Sequence, residues 1–324
     1  MSQRVKSESY NEYAKDIVRQ FMCYRASFFK ENQRVFDRPD GDLMRPPVFL
    51  PEYADMNILF HENMPLEVKH HLLCLISDDA RHEWFRSMNS SQALAQSVFG
   101  NLSVIGNLNC LNVLHGDDGK PLFISGSKKS PLQMEYPVDS LGESKRTSLD
   151  VFIDGDYKVA VECKFIEDGV GPCSRPDVKK DDKKYLMKHC DGRYIRQHGR
   201  QERCSLTDAK IKYWEYVPYV FKWDVTMDHA PCPLLDTYQI VRNILAVCVT
   251  SDKKVNLKGG HVVLLYDARN PLFEDGGIAW QKVKEALRER DLLQKCTWQE
   301  VVAAMRNDKE ISWLTDLLKA KYGF

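Results

Sequence analysis

The sequence predicts an α/β fold, a mixed sheet carrying helices before, within and after it. Three observations predict this. Apolar residues fall at helical spacing through the first third of the chain. After Asp117-Asp118-Gly119 the apolar period drops to two in three short segments rich in β-branched and aromatic residues. An amphipathic helix, one further strand and closing helices then follow, an order that fits strands layered between helices. At 324 residues the chain can bury a full core, and 43% hydrophobic with 28% charged residues is globular composition.

Taken in order, Tyr13, Ile17, Phe21, Tyr24 and Phe28 mark a first helix, and Pro39, Pro46, Pro47 and Pro51 break the chain after it. Helices are expected at 65–76 and at 91–99, the latter with Ser90 and Ser91 as N-cap residues. Strands are expected at 133–138, 147–153 and 158–165, the last two joined through Asp154-Gly155-Asp156. A polar stretch at 166–207 leads into an aromatic, helix-like segment at 208–223. A helix at 234–250, a strand at 261–266 and helices at 278–290, 298–305 and 311–319 complete the chain. The expected organisation is a helical region at 1–120, a core at 121–290 with an insertion at about 166–207, and C-terminal helices at 291–324.

Composition narrows the function classes. Residues 1–16 are charged and lack the apolar run of a signal peptide. The longest apolar runs, such as 262–266, are too short to span a bilayer, so no membrane partner is expected. Ten scattered cysteines in a chain of this length fit a reducing, cytoplasmic setting. Net charge is zero, so nucleic-acid contact must come from a local patch.

The residues that carry chemistry lie on the second and third strands. In Val159-Ala160-Val161-Glu162-Cys163-Lys164-Phe165 the period of two sets Glu162 and Lys164 on one face and the bulky apolar residues on the other. In the preceding strand Leu149, Val151 and Ile153 form the apolar set, leaving Asp150 opposite. Buried charges are costly unless paired, so three ionisable groups on such strands point to a purpose. Two carboxylates on neighbouring strands suit a hard divalent cation such as Mg²⁺, which can acidify a bound water. The lysine supplies a cation for the nucleophile or a phosphate. Asp150 and Glu162 share a face only if the hairpin register has an even sum. A three-residue loop at 154–156, with Ile153 opposite Tyr157 and Asp150 opposite Ala160, satisfies that parity, as does a bulged longer loop.

Asp150 followed by Glu162-Cys163-Lys164 resembles the PD-(D/E)xK signature of restriction-endonuclease-like enzymes, with Leu149 in place of the proline. Glu135-Tyr136, Thr147-Ser148-Leu149-Asp150, Gly171-Pro172-Cys173-Ser174-Arg175 and Tyr238-Gln239-Ile240-Val241-Arg242-Asn243 resemble the PGN_0703 family of restriction endonucleases. The resemblance covers roughly residues 90–300. It implies an αβββαβ restriction-endonuclease-like core, dependence on Mg²⁺ (or Mn²⁺), a DNA substrate and a bacterial defence role, with a homodimer as an open assembly.

Further residues carry weaker signals. Glu135 is a candidate third metal ligand or an ordinary strand glutamate. In the 234–250 helix Ile240, Val241, Ile244, Leu245 and Cys248 form the apolar stripe, while Gln239, Arg242 and Asn243 share another face. The resemblance sets that face beside the active site, with Gln239 and Arg242 toward a phosphate or Glu162. Between Arg175 and Lys212 twelve Lys/Arg stand against six Asp/Glu, including Lys179, Lys180, Lys183 and Lys184. With interleaved tyrosines this makes a candidate DNA contact, or a solvated loop. Cys173, His189, Cys190, His198 and Cys204 are donors zinc accepts, at spacings that match no standard pattern. The alternatives to a nuclease are a catalytically silent nucleic-acid-binding protein and an enzyme for a small phosphorylated substrate. The basic insertion disfavours the last.

Overall fold

A five-stranded sheet of order β1-β2-β3-β4-β5 organises the chain, with helices on both faces. The structure, a computed structural model, describes residues 7–38, 42, 44–123, 132–143, 147–197 and 199–324. The strands are β1 (Leu132–Pro137), β2 (Ser148–Ile153), β3 (Lys158–Cys163), β4 (Gly260–Tyr266) and β5 (Leu293–Thr297). β1, β2 and β3 pair antiparallel, whereas β4 and β5 add in parallel. Parallel neighbours need a crossover, and helices supply both of them.

The first helix, α1 (Glu8–Phe28), opens on Ser7, whose hydroxyl accepts the Tyr10 amide at 3.3 Å. Tyr10, Tyr13, Ile17, Phe21 and Tyr24 are buried along one stripe, while Phe28 is exposed. Helices α2 (Leu66–Leu73), α3 (Ser91–Ala95) and α4 (Asn101–Ile105) follow, α3 and α4 joined by a π turn and α3 capped by Ser90. After β3 come the one-turn helices α5 (Tyr185–Lys188) and α6 (Ser205–Asp208), then α7 (Tyr213–Val220) and α8 (Tyr238–Cys248). The chain ends with α9 (Gly277–Ala286), α10 (Trp298–Arg306) and α11 (Ser312–Tyr322).

Two cores sandwich the sheet. Val151, Ile153, Val159, Val161, Cys163, Val263 and Leu265 pack with α1, α10 and α11. Phe152, Ala160, Val262 and Leu264 pack on the other face with α7, α8 and α9. Helix α8 fits this position because eight of its eleven residues are buried. Each fully buried aliphatic side chain contributes on the order of 1.5–3 kcal/mol.

The structure corrects several expectations. Ile153 pairs with Val159 rather than facing Tyr157, so five residues, 154–158, separate the last β2–β3 pair instead of three. The even parity survives, and the register, carried one residue past Val151↔Val161, sets Asp150 across from Glu162 rather than Ala160. Leu149 leaves the apolar set of Val151 and Ile153 for the opposite core. The cause lies in β1, where Glu135 has φ +49° and the rung between Met134↔Val151 and Tyr136↔Leu149 is missing. Beyond that rung Tyr136 stacks on Phe152 while Leu132 and Met134 remain on the first face. Strand β5 was not expected, and the 208–223 segment forms a helix only at Tyr213–Val220.

Candidate active site

The alternation of β3 decides where its charges go. Val159, Val161 and Cys163 enter the first core, so Glu162 lies under α8, only 1% exposed. Lys164 follows just past the strand, 7% exposed, with its backbone pinned. Its amide donates to Leu265 O at 2.7 Å and its carbonyl accepts Trp298 Nε1 at 2.9 Å. The next carbonyl, of Phe165, accepts the Tyr13 hydroxyl and Asn270 Nδ2. The backbone that carries the Lys164 side chain is therefore anchored from β4, α10 and α1.

Glu162 and Lys164 form an ion pair, Nζ to Oε1 at 2.7 Å. Helix α8 completes the shell. Asn243 Nδ2 donates to Glu162 Oε2 at 2.5 Å, Gln239 Oε1 accepts from Lys164 Nζ at 2.9 Å, and Arg242 Nη2 stands 3.8 Å from Glu162 Oε2. These three residues sit at i, i+3 and i+4 on one helix face. Gly171 makes the approach possible: its φ is +91°, and a Cβ there would lie 1.9 Å from Gln239 Oε1. Arg242 is itself committed, donating to Thr147 Oγ1, to Ser148 O at 2.8 Å and to Asn243 Oδ1 at 2.9 Å.

Asp150 Oδ2 accepts the Cys163 amide at 2.6 Å, which locks β2 to the end of β3. Burial pushes the Asp150 carboxyl well up, and the Glu162 and Glu135 charges push it further, against the pull of Lys164 and the Cys163 amide. Burial likewise raises Glu135, with Glu162 adding to it, although Ser148 and Gln92 donate to its two oxygens. Burial opposes the charge on Lys164, but Glu162, Glu167 and Asp150 outweigh it and raise the amine. Glu167 accepts Ser91 Oγ at 2.6 Å and the Phe165 amide at 2.5 Å.

The carboxylates of Glu135, Asp150, Glu162 and Glu167 open with Lys164, Gln239 and Arg242 on one cavity of about 1010 Å³, while Asn243 lies behind it. It is lined by Asp150, Glu162, Lys164, Glu135, Gln239 and Arg242, so the structure brings together every expected residue of the strands and of α8. Arg38, Arg45 and Arg81 line it from the N-terminal region, too distant in sequence to be associated with the site beforehand. Lys179, Lys180, Lys183 and Lys184 are exposed and line none of it. Sequence reasoning missed Glu167 and Gln92, and gave Asn243 a face without a role. The i+4 spacing from Gln239 was the available signal for Asn243.

The donor set suits a hard cation in kind: oxygen-only, on adjacent strands, and mutually repelling. Among the described residues, however, no group of three or more His, Cys, Asp or Glu stands at metal-holding separations. Beside Glu162 the compensating positive charge is the Lys164 ammonium.

A mixed α/β sheet gathering carboxylates and a lysine at a wide cavity, as here, is a scaffold compatible with a restriction-endonuclease-like protein. The chain belongs to the family described as Restriction Endonuclease associating with ARP, which it matches over residues 24–323. No curated protein and no solved structure matches it. Among the described residues no helix is long and apolar enough to cross a membrane.

Proposed function

We propose that this protein is a metal-dependent DNA endonuclease of the PD-(D/E)xK type, hydrolysing phosphodiester bonds on an αβββαβ core. The observation that carries the reading is the meeting of Asp150, Glu162 and Lys164 at the wall of one cavity, in a chain of a restriction-endonuclease family. Asp150 and Glu162, with Glu135 beside them, would hold Mg²⁺ or Mn²⁺. When bound, the cation supplies an acidified water and charge neutralisation at the phosphate. Lys164, held by Gln239, orients the attacking water or a phosphate oxygen, and Asn243 fixes the Glu162 carboxylate. Arg38 and Arg45, which share Asp42 across the cavity, offer guanidinium groups to the DNA backbone.

The test is cleavage of supercoiled plasmid with and without Mg²⁺ or Mn²⁺, by wild type and by Asp150→Asn, Glu162→Gln and Lys164→Gln. Cation-dependent nicking or linearisation is expected from the wild type, with a loss of at least a hundredfold in each variant whose circular dichroism is unchanged. Wild-type rates in two of the three variants would refute the assignment. The Lys164–Glu162 ion pair and the lack of a ready three-ligand cluster favour one rival, a DNA-binding protein that does not cleave. DNA retention in a gel shift without cleavage under any cation selects that rival.

A further inference from the structure

Between β3 and α8 the chain builds little regular structure. Residues 166–212 contain only helices of three or four residues and no strand of the sheet. Cys173, Cys190, Cys204 and Cys232 nevertheless converge there from four separate segments on one enclosed void of about 10 Å³. Backbone hydrogen bonds tie the segments together: Cys173 N to Leu235 O at 2.9 Å, Cys232 N to Gly192 O at 2.8 Å, and Leu235 N to Cys232 O at 3.0 Å. The sulfurs are served by amides in a repeated way. Gly192 N donates to Cys190 Sγ at 3.4 Å, and the amides of Arg175, Leu206 and Leu234 serve Cys173, Cys204 and Cys232, always two residues downstream. Burial pushes the thiols of Cys173, Cys204 and Cys232 up, and these amides pull back toward the thiolate, the form a metal takes. All four cysteines are free, so no disulfide accounts for their convergence.

We infer that these four cysteines form a structural zinc site that staples the irregular region to the start of α8. Four thiolates without an open position are the donor set of a closed structural zinc centre, with Zn–S near ~2.3 Å and therefore S···S near ~3.8 Å. As they stand, the thiols are not gathered to that separation, so the ion draws them inward. The void lies at the lower limit for a single water, a size that fits one bare ion. Binding releases four thiol protons to solvent and leaves a site of net charge −2, with Arg175 and Arg193 at its rim. No oxidation or reduction is involved. His189 and His198 are not needed: His198 lies outside the described residues, and the fourth donor is Cys232. Because successive cysteines are at least fourteen positions apart, no CxxC motif announces them.

The site is independent of the nuclease reading, and its test needs no DNA. Protein purified without chelator or added metal is analysed for metal content, then titrated with a thiol-blocking mercurial while zinc release is followed. One zinc per chain is expected, released in step with four thiols, falling to near zero in Cys190→Ser and Cys232→Ser. Cys23→Ser and Cys74→Ser, exposed and remote from the cluster, should keep it. Should the cluster variants fail to fold, cobalt uptake by chelator-stripped wild type decides, through the absorption of tetrahedral cobalt thiolate. Wild-type protein that carries no zinc and takes up no cobalt overturns the inference. So does a disulfide within the four, or zinc retained in both cluster variants.

Discussion

Lys321, on the last helix, connects a buried charge to the wall of the cavity. It is fully buried, and Nζ donates to Asn57 O at 2.5 Å and Asn57 Oδ1 at 2.7 Å. Asn57 in turn donates to Phe85 O at 2.6 Å and Ser87 O at 2.8 Å, fixing the segment whose Trp84 and Ser87 line the cavity. Burial depresses the Lys321 amine from 10.5 to about 7. Its aromatic neighbours, Tyr24 and Tyr322, are pushed upward by their own burial and stay neutral in this range. The unfolded chain binds the proton below 10.5, the folded chain only below about 7. Stability therefore rises with pH between those limits, by on the order of 5 kcal/mol in full and roughly 2 kcal/mol from pH 7 to 9. The assay is urea denaturation of wild type and Lys321→Met at pH 7, 8 and 9. Background titrations cancel in the difference, which should move in favour of wild type by about 2 kcal/mol across the series. A difference that is flat, or that moves toward the variant, refutes a depressed amine at this position.

Three further outcomes follow from the site. Gly171→Ala forces a Cβ against Gln239 at a positive φ, so it should cost ~1–2 kcal/mol in denaturant titration and slow cleavage by displacing the Lys164 partner; wild-type stability would refute the close approach. Asn243→Leu removes the 2.5 Å donor to Glu162, costing ~1–3 kcal/mol, and should lower kcat far more than it changes KM; an effect on KM alone would place Asn243 at the substrate instead. If the exposed lysines of the insertion touch DNA, replacing Lys179, Lys180, Lys183 and Lys184 with alanine should reduce the slope of log affinity against log salt by about 3–4 units. An unchanged slope leaves them as solvated surface.

What was legible followed from local alternation, and what was not depended on distant partners. β3 announced itself because its two faces differ in chemistry, and α8 because its stripe is continuous. The hairpin loop misled, since Asp154-Gly155-Asp156 carries the chemistry of a tight turn. Its extra residues answer to β4 instead: Lys158 pairs with Gly260, and the Tyr157 hydroxyl meets His261 Nδ1 at 3.0 Å. β5 was hidden because Gln294 and Lys295 interrupt its apolar pattern, one buried beside β4 and the other paired with Asp275. Cys173, Cys190 and Cys204 stood out only as scattered donors, and Cys232 and the cavity arginines have no local signature at all.

The place where local rules fail most is the rung of Glu135 and Asp150. A non-glycine residue at positive φ inside a strand costs on the order of 1–3 kcal/mol, and two carboxyls raised by burial and by the Glu162 charge add to that cost. A sheet under no other demand would lose the repulsion by placing an apolar residue at either position, and the strain by placing glycine at 135. Here the fold instead braces them, with Ser148 and Gln92 on Glu135, the Cys163 amide on Asp150, and Asn243 on the facing Glu162. Strain and repulsion at these neighbouring positions, braced from β2, β3, α3 and α8 and opening on the cavity, support the proposed cation site. A surface ion-pair network needs none of that bracing. The same reasoning separates these positions from the basic insertion, whose Lys179, Lys180, Lys183 and Lys184 are exposed and compatible with ordinary solvation.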